Sequence, residues 1–190
     1  MKILGLDTSN KFIIISLMEE YKEVYFKKIN VYRNASELTN LEIDKAFKEV
    51  GWKPKELESV VVTKGPGSFT GVRIAMSIAK VLTTTLSIPL YTISSLKFYA
   101  GLKSAAVILD ARSNKVYYGN FEKGKTVKEE MIQIKDIENQ KVFPSIGELS
   151  IIDKEDNFNL LENNFIDLKE FWIKESSLEA KPQYFKSNLW

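Results

Sequence analysis

The 190-residue chain contains neither cysteine nor histidine. Without cysteine there can be no disulfide, no thiolate zinc site and no cysteine nucleophile, a composition that fits a reducing compartment. Without histidine the commonest proton shuttle at neutral pH and the commonest metal ligand are both missing. A Ser-His-Asp triad, a histidine-based zinc hydrolase and a di-histidine iron site are therefore excluded. Chemistry built on carboxylate-bound magnesium, or on serine and lysine, stays open. Long hydrophobic runs are also absent: no stretch approaches the ~20 apolar residues of a membrane helix. The opening segment Met1–Ser16 is interrupted by Asp7 and lacks the apolar centre of a signal peptide. These features predict a cytoplasmic protein with no membrane contact.

What is present is enough to build a core. Hydrophobic residues make up 44% and aromatic residues 12%, so the chain reads as folded, in one large domain or two small lobes. A net charge of +2 is too small to imply nucleic-acid binding by itself. The charge is uneven, however. Residues 151–180 carry eight carboxylates against three lysines, a local −5 that leaves +7 on the remainder. Such runs read first as solvated faces, with weak RNA steering as the alternative.

The pattern of apolar residues predicts strands at Ile3–Leu6, Phe12–Met18 and around Val24–Phe26, with Asp7-Thr8-Ser9-Asn10 as turn chemistry. A helix follows over 36–50, with Ser36 as N-cap and Gly51 as its stop. Val60–Val62 reads as a buried strand, Gly71–Leu86 as a second helix and Leu90–Thr92 as a short strand after Pro89. The order βββαβα predicts a mixed sheet with helices packed on it. Ala106–Asp110 then repeats the Ile3–Asp7 pattern, and each aspartate precedes a Ser-Asn-Lys and a further strand, here Val116–Phe121. This repeat predicts a duplicated unit, with lobes at 1–101 and 102–190 hinged near Gly101. The second lobe is more polar; it should continue with strands near Val127–Ile132 and Leu149–Ile152 and a helix around Leu168–Lys174.

Residues 64–73, Lys-Gly-Pro-Gly-Ser-Phe-Thr-Gly-Val-Arg, lie between a predicted strand and a predicted helix. Glycines there permit a sharp turn, and a helix start offers N–H groups to an anion. The segment matches neither a Walker A loop nor G-x-G-x-x-G, so a purely structural turn competes with an anion cradle. Candidate nucleotide contacts are Gly65, Gly67 and Ser68 with the strand-end carboxylates Asp7 and Asp110, which could hold magnesium and a phosphate. Against that, Asp after a strand is a common turn residue, and Gly119, Gly124 and Gly147 are too isolated to form an adenosine loop. The helix after the loop is apolar on two sides. Val72, Ala75, Met76, Ala79, Leu82 and Leu86 form one face, and Ile74, Ile78 and Val81 another. One face can cover the sheet; the second needs either the helix 36–50 or another chain.

The start ILGLDTS, the central KGPGSFTGVRIA, the later ILDARSNKVYYG and the terminal KPQYFK, in that order, resemble the TsaB (YeaZ) family. The resemblance implies an α/β fold, a duplicated actin-like (ASKHA, ribonuclease-H-like) arrangement of two lobes with the second reduced. It implies a role in making threonylcarbamoyladenosine beside the anticodon of tRNAs that read codons starting with A. In that family TsaB is the non-catalytic paralogue of TsaD, which carries the metal ligands and transfers the threonylcarbamoyl group. TsaB docks TsaD through first-lobe helices, the ATPase TsaE joins the assembly, and a separate enzyme makes the adenylate donor. Similar proteins form a homodimer through the same surface when alone. Carried over, the docking stretches are 36–50 and 71–86, with Leu38, Leu41, Ile74, Ser77, Ile78 and Val81 as contacts. The resemblance implies no catalytic residue, no metal site and no required cofactor, with weak nucleotide binding and tRNA contact through the complex. This sequence reads Arg33-Asn34-Ala35-Ser36-Glu37 where members often carry a histidine, and its second lobe is short. An ATP-dependent small-molecule kinase of the same fold is the alternative, resting on Asp7, Asp110 and the glycine loop. A protease is disfavoured by the missing histidine and cysteine.

Overall fold

The computed structural model describes residues 1–31, 34–140, 144–158 and 160–185; Arg33 and Lys186, which belong to two of the motif segments, lie outside them. Strands β1 (Lys2–Asp7), β2 (Phe12–Glu19) and β3 (Lys22–Asn30) form an antiparallel meander rich in β-branched residues. Helix α1 (Ala35–Glu49) returns the chain to β4 (Ser59–Thr63), and α2 (Phe69–Leu86) leads to β5 (Leu90–Ile93). Both β4 and β5 run parallel to their inner neighbours, as crossovers through a helix require. The first sheet has the order β10-β5-β4-β1-β2-β3.

The second half repeats this plan. Strands β6 (Ala105–Arg112), β7 (Lys115–Glu122) and β8 (Lys125–Gln133) are again an antiparallel meander, and β9 (Ser145–Gly147) pairs parallel with β6. The order β8-β7-β6-β9 matches β3-β2-β1-β4. Two copies of this ribonuclease-H-like topology make the actin-like arrangement. The second copy lacks counterparts of α1 and α2 among the described residues; 3-10 turns at Ile134–Asn139 and Leu149–Ile152 stand on that side instead.

The main core lies between the two sheets, where Ile3, Val61, Phe98, Val107, Leu109, Phe121 and Phe165 share one cluster. Gly5 admits the Phe165 ring: a Cβ there would sit 2.6 Å from it. A second cluster joins the opposite face of β1 and β4, through Leu4, Leu6, Val60 and Val62, to Phe47 of α1 and to Ala75, Met76 and Ala79 of α2. No helix is long and apolar enough to cross a membrane among the described residues.

Three local expectations are corrected. Leu149–Ile152 is a 3-10 turn, closed by Asp153 in the left-handed region, and β9 at Ser145–Gly147 takes the edge of β6 in its place. Leu168–Lys174 is not a helix. It holds a 3-10 turn, Lys169–Phe171, after the short α4 (Asn164–Asp167) and before β10 (Ile173–Glu175). The open edge of β5 takes β10 as an antiparallel partner, and satisfying that edge outweighs local helical spacing. Ser36 is not the N-cap of α1: Asn34, in the left-handed region, occupies that place and accepts from Leu38 N at 3.0 Å through its carbonyl. The sequence reading also left out α3 (Ser95–Ala100), all six of whose residues are buried between the lobes.

Candidate functional site

Helices α1 and α2 lie side by side on the same face of the first sheet. Each turns one stripe inward: Thr39, Ile43, Ala46 and Phe47 from α1, and Val72, Ala75, Met76, Ala79 and Thr83 from α2. The second apolar face of α2 is left over. Ile74 and Ile78 are half-buried, Val81 is 65% exposed and Phe69 57% exposed. With Ser36, Asn40 and Ile43 of α1 they line an open groove of 680 Å³. Leu82 also lines it, and Thr70, Arg73 and Ser77 join Ser36 and Asn40 as its polar lining.

Of the sequence-predicted contacts, the groove brings together Ile74, Ser77, Ile78 and Val81. Leu38 packs against the core below α1, and Leu41, at 50% exposed, stands outside the groove lining. Phe69 and Arg73 were missed, although the row Phe69–Arg73–Ser77–Val81, at i, i+4, i+8 and i+12, carries their signal. The Arg73 guanidinium lies 3.7 Å from the centroid of the Phe69 ring. Tyr184 stacks on the same ring at 5.4 Å and accepts a hydrogen bond from Arg73 Nε at 3.1 Å. The tail that carries Tyr184 is anchored by Gln183 N, which donates to Lys64 O at 2.6 Å.

The glycine loop is packed against the β1 turn. A Cβ on Gly67 would lie 2.2 Å from Ser9 O, one on Gly71 1.9 Å from Thr8 O, and one on Gly65 2.6 Å from Gln183 O. Three of its donors are engaged: Gly65 N donates to Ser95 Oγ at 3.1 Å, Ser68 N to Ser9 O at 2.6 Å, and Gly71 N to the capping Ser68 Oγ at 3.2 Å. The close approach of two backbones accounts for all three glycines without an anion.

Asp7 is enclosed, with no exposed surface. Thr63 Oγ1 and Ser9 N donate to Oδ1, and the Tyr99 hydroxyl donates to Oδ2. Burial pushes its carboxyl above the ordinary 3.8, with the hydrogen bonds from Ser9, Thr63 and Tyr99 pulling the other way. Burial likewise raises the Tyr99 phenol. Asp110 is held elsewhere. Its Oδ1 accepts from Arg112 N at 2.7 Å, its Oδ2 pairs with the Arg112 guanidinium at 3.0 Å, and its own N–H donates to Glu148 Oε2 at 2.7 Å. The two aspartates also differ in strand parity. Asp7 alternates with Ile3, which faces the interlobe core, whereas Asp110 alternates with Ala106 and Ile108, which face away from it. The structure does not join them through a shared partner.

Residues 29–165 match the family model described as TsaD, tRNA N6-adenosine threonylcarbamoyltransferase. The tRNA threonylcarbamoyladenosine biosynthesis protein TsaB of Bacillus subtilis is 36% identical over 129 residues, which cover 64% of this chain and 56% of that protein. The TsaB protein of Buchnera aphidicola from Schizaphis graminum is 31% identical over 160 residues, covering 73% of this chain and 71% of that one. Thus the match to the Bacillus protein spans little more than half of its length. A crystal structure from Pseudomonas aeruginosa, of an uncharacterized protein with similarity to peptidase YeaZ, superimposes with a TM-score of 0.81 at 19% identity, covering 97% of this chain and 99% of that one. That likeness extends the shared fold over both lobes. Taken with the extent of the family match and the Buchnera alignment, it leads to one assignment: the chain belongs to the TsaB (YeaZ) family.

Proposed function

We propose that this chain is a non-catalytic docking subunit in the formation of the threonylcarbamoyl group on the adenosine beside the tRNA anticodon. Its direct partner is the TsaD-family transferase, which grips the α1–α2 groove. The ATPase TsaE joins the assembly, tRNA is met through the complex, and a second copy of the chain covers the groove when the transferase is absent. The observation that carries this reading is the apolar groove itself. Ile74, Ile78, Val81 and Phe69 present their side chains along one helix face beside Ile43 of α1. Exposed apolar surface concentrated on rigid helices, with an arginine and aromatics at its edge, is what a partner helix buries. The kinase alternative draws less support, because Asp7 is enclosed and the N–H groups of Gly65, Ser68 and Gly71 bond within the chain.

The test is co-purification of the chain with the transferase of the same organism, with and without Ile78→Glu. A carboxylate buried unpaired in the interface costs about 3–5 kcal/mol, enough to lose the complex in a pull-down. Circular dichroism establishes that the variant is folded, and Val81→Glu repeats the test at a position already open to solvent. Binding retained by both folded variants refutes docking at this groove.

A further inference from the structure

The lining of the α1–α2 groove carries a single charge. Every side chain in it is apolar or uncharged except Arg73. That side chain is exposed, yet it is held in place. Its guanidinium lies over the Phe69 ring, 3.7 Å from the centroid, and its Nε donates to the Tyr184 hydroxyl at 3.1 Å. Tyr184 itself stacks on Phe69, with ring centroids 5.4 Å apart. Fixing a long side chain before a partner arrives lowers the ordering entropy that binding must otherwise overcome. Only Nε is used in this arrangement. The outer nitrogens of the fork meet neither an acceptor nor a carboxylate among the described residues.

Other charges on the two helices are matched or stand off the groove. Asp44 pairs with Lys48 at 2.6 Å, Glu42 with Lys27 and Lys45, and Lys80 donates to Leu178 O at 3.1 Å. Glu37 lies outside the lining. This distribution decides between partners. A polyanion such as RNA is held by several cations at once, and the groove offers one. A planar fork at the edge of an apolar surface matches a single carboxylate, gripped through two N–H groups. A second copy of this chain brings no carboxylate in its lining and a second Arg73, so self-pairing sets like charges in one interface.

We infer that Arg73 is the specificity residue of the docking groove. It takes one carboxylate from the transferase helix that fills the groove, and so favours the transferase over a second copy of this chain. Tyr184 is a positioning residue that acts through the Arg73 guanidinium. The inference rests on the docking role proposed for the groove and adds the group that the partner must present.

The experiment titrates the transferase of the same organism into the full chain by calorimetry, at low and at high salt. Self-association is followed in parallel by analytical ultracentrifugation. Arg73→Met keeps an apolar stem over Phe69 and removes the fork. It should weaken the transferase roughly thirtyfold, as expected when a carboxylate in an interface loses its partner. It should also flatten the salt dependence and leave self-association no weaker than in the wild type. Arg73→Lys should recover only part of the affinity, because an ammonium lacks the planar fork. Tyr184→Phe keeps the ring and loses the acceptor; it should weaken the transferase less than Arg73→Met and retain the salt dependence. Ile78→Glu and Val81→Glu separate the two readings. If both bind as the wild type does, docking at the groove fails and the inference falls with it. If they lose the transferase while Arg73→Met matches the wild type in affinity and salt dependence, the docking role stands and the inference is overturned. It is equally overturned if Arg73→Met weakens the transferase and self-association alike.

Discussion

The hydroxyl of Thr8 is inserted into the first turns of α2: it donates to Gly71 O at 2.6 Å and accepts from Ala75 N at 3.2 Å. Those two backbone groups are four residues apart, the pair that an α-helix joins, so one hydroxyl bonds to both ends of a helical turn. The strand-end turn is thereby joined to the helix that carries the groove, so the position of Ile74 and Ile78 depends on a residue of β1's own turn. Thr8→Val keeps the shape and removes the bridge. It should cost about 1–3 kcal/mol in urea unfolding. Gly71→Ala should cost more, because its Cβ would meet the Thr8 carbonyl and both partners are backbone.

The groove should also govern self-association. If the proposed homodimer forms through this groove, Val81→Glu should shift it toward monomer in analytical ultracentrifugation, since Val81 stands at the groove wall and is open to solvent. Leu41→Glu, outside the lining, should shift it less, as rim positions carry less binding energy than the centre. Equal effects would move the centre of the interface toward α1.

Glu129 links the lobes: Ser94 Oγ donates to its Oε1 at 2.6 Å. Burial raises its carboxyl above the ordinary 4.5, with Ser94 and Lys97 pulling it down. A group whose folded pKa is raised holds its proton in the native state after the unfolded chain has lost it. Stability contributed by that proton is present below the unfolded value and is lost as pH climbs through the folded one. Glu129→Gln retains an acceptor for Ser94 and cannot ionise. Its urea midpoint should therefore fall less than that of the wild type between pH 4.5 and neutrality.

Gly5→Ala places a methyl against the Phe165 ring and should destabilise by about 1–3 kcal/mol through overpacking. Phe165→Leu in the same chain should recover part of that loss. A double-mutant cycle in urea would show this coupling as a departure from additivity.

The sequence by itself determined the elements whose signals are local. Short apolar, β-branched-rich runs placed β1, β2, β4, β6 and β7, and helical spacing placed α1 and α2 with the spare face at Ile74, Ile78 and Val81. The repeat around Asp7 and Asp110 announced two related sheets, and the strand orders agree with it. Tertiary structure decided what depends on distant partners. Asp7 is enclosed by Thr63 and Tyr99, 56 and 92 residues away, a relation that no window of sequence contains. Residues 173–175 became a strand because β5 had an unpaired edge, and α3 formed between two sheets that bury its whole surface. The outer face of the second sheet is thinly covered because the helices that cover the first sheet have no counterpart over the second among the described residues. Periodicity reports which side of an element is apolar; only the assembled fold decides what, if anything, covers that side.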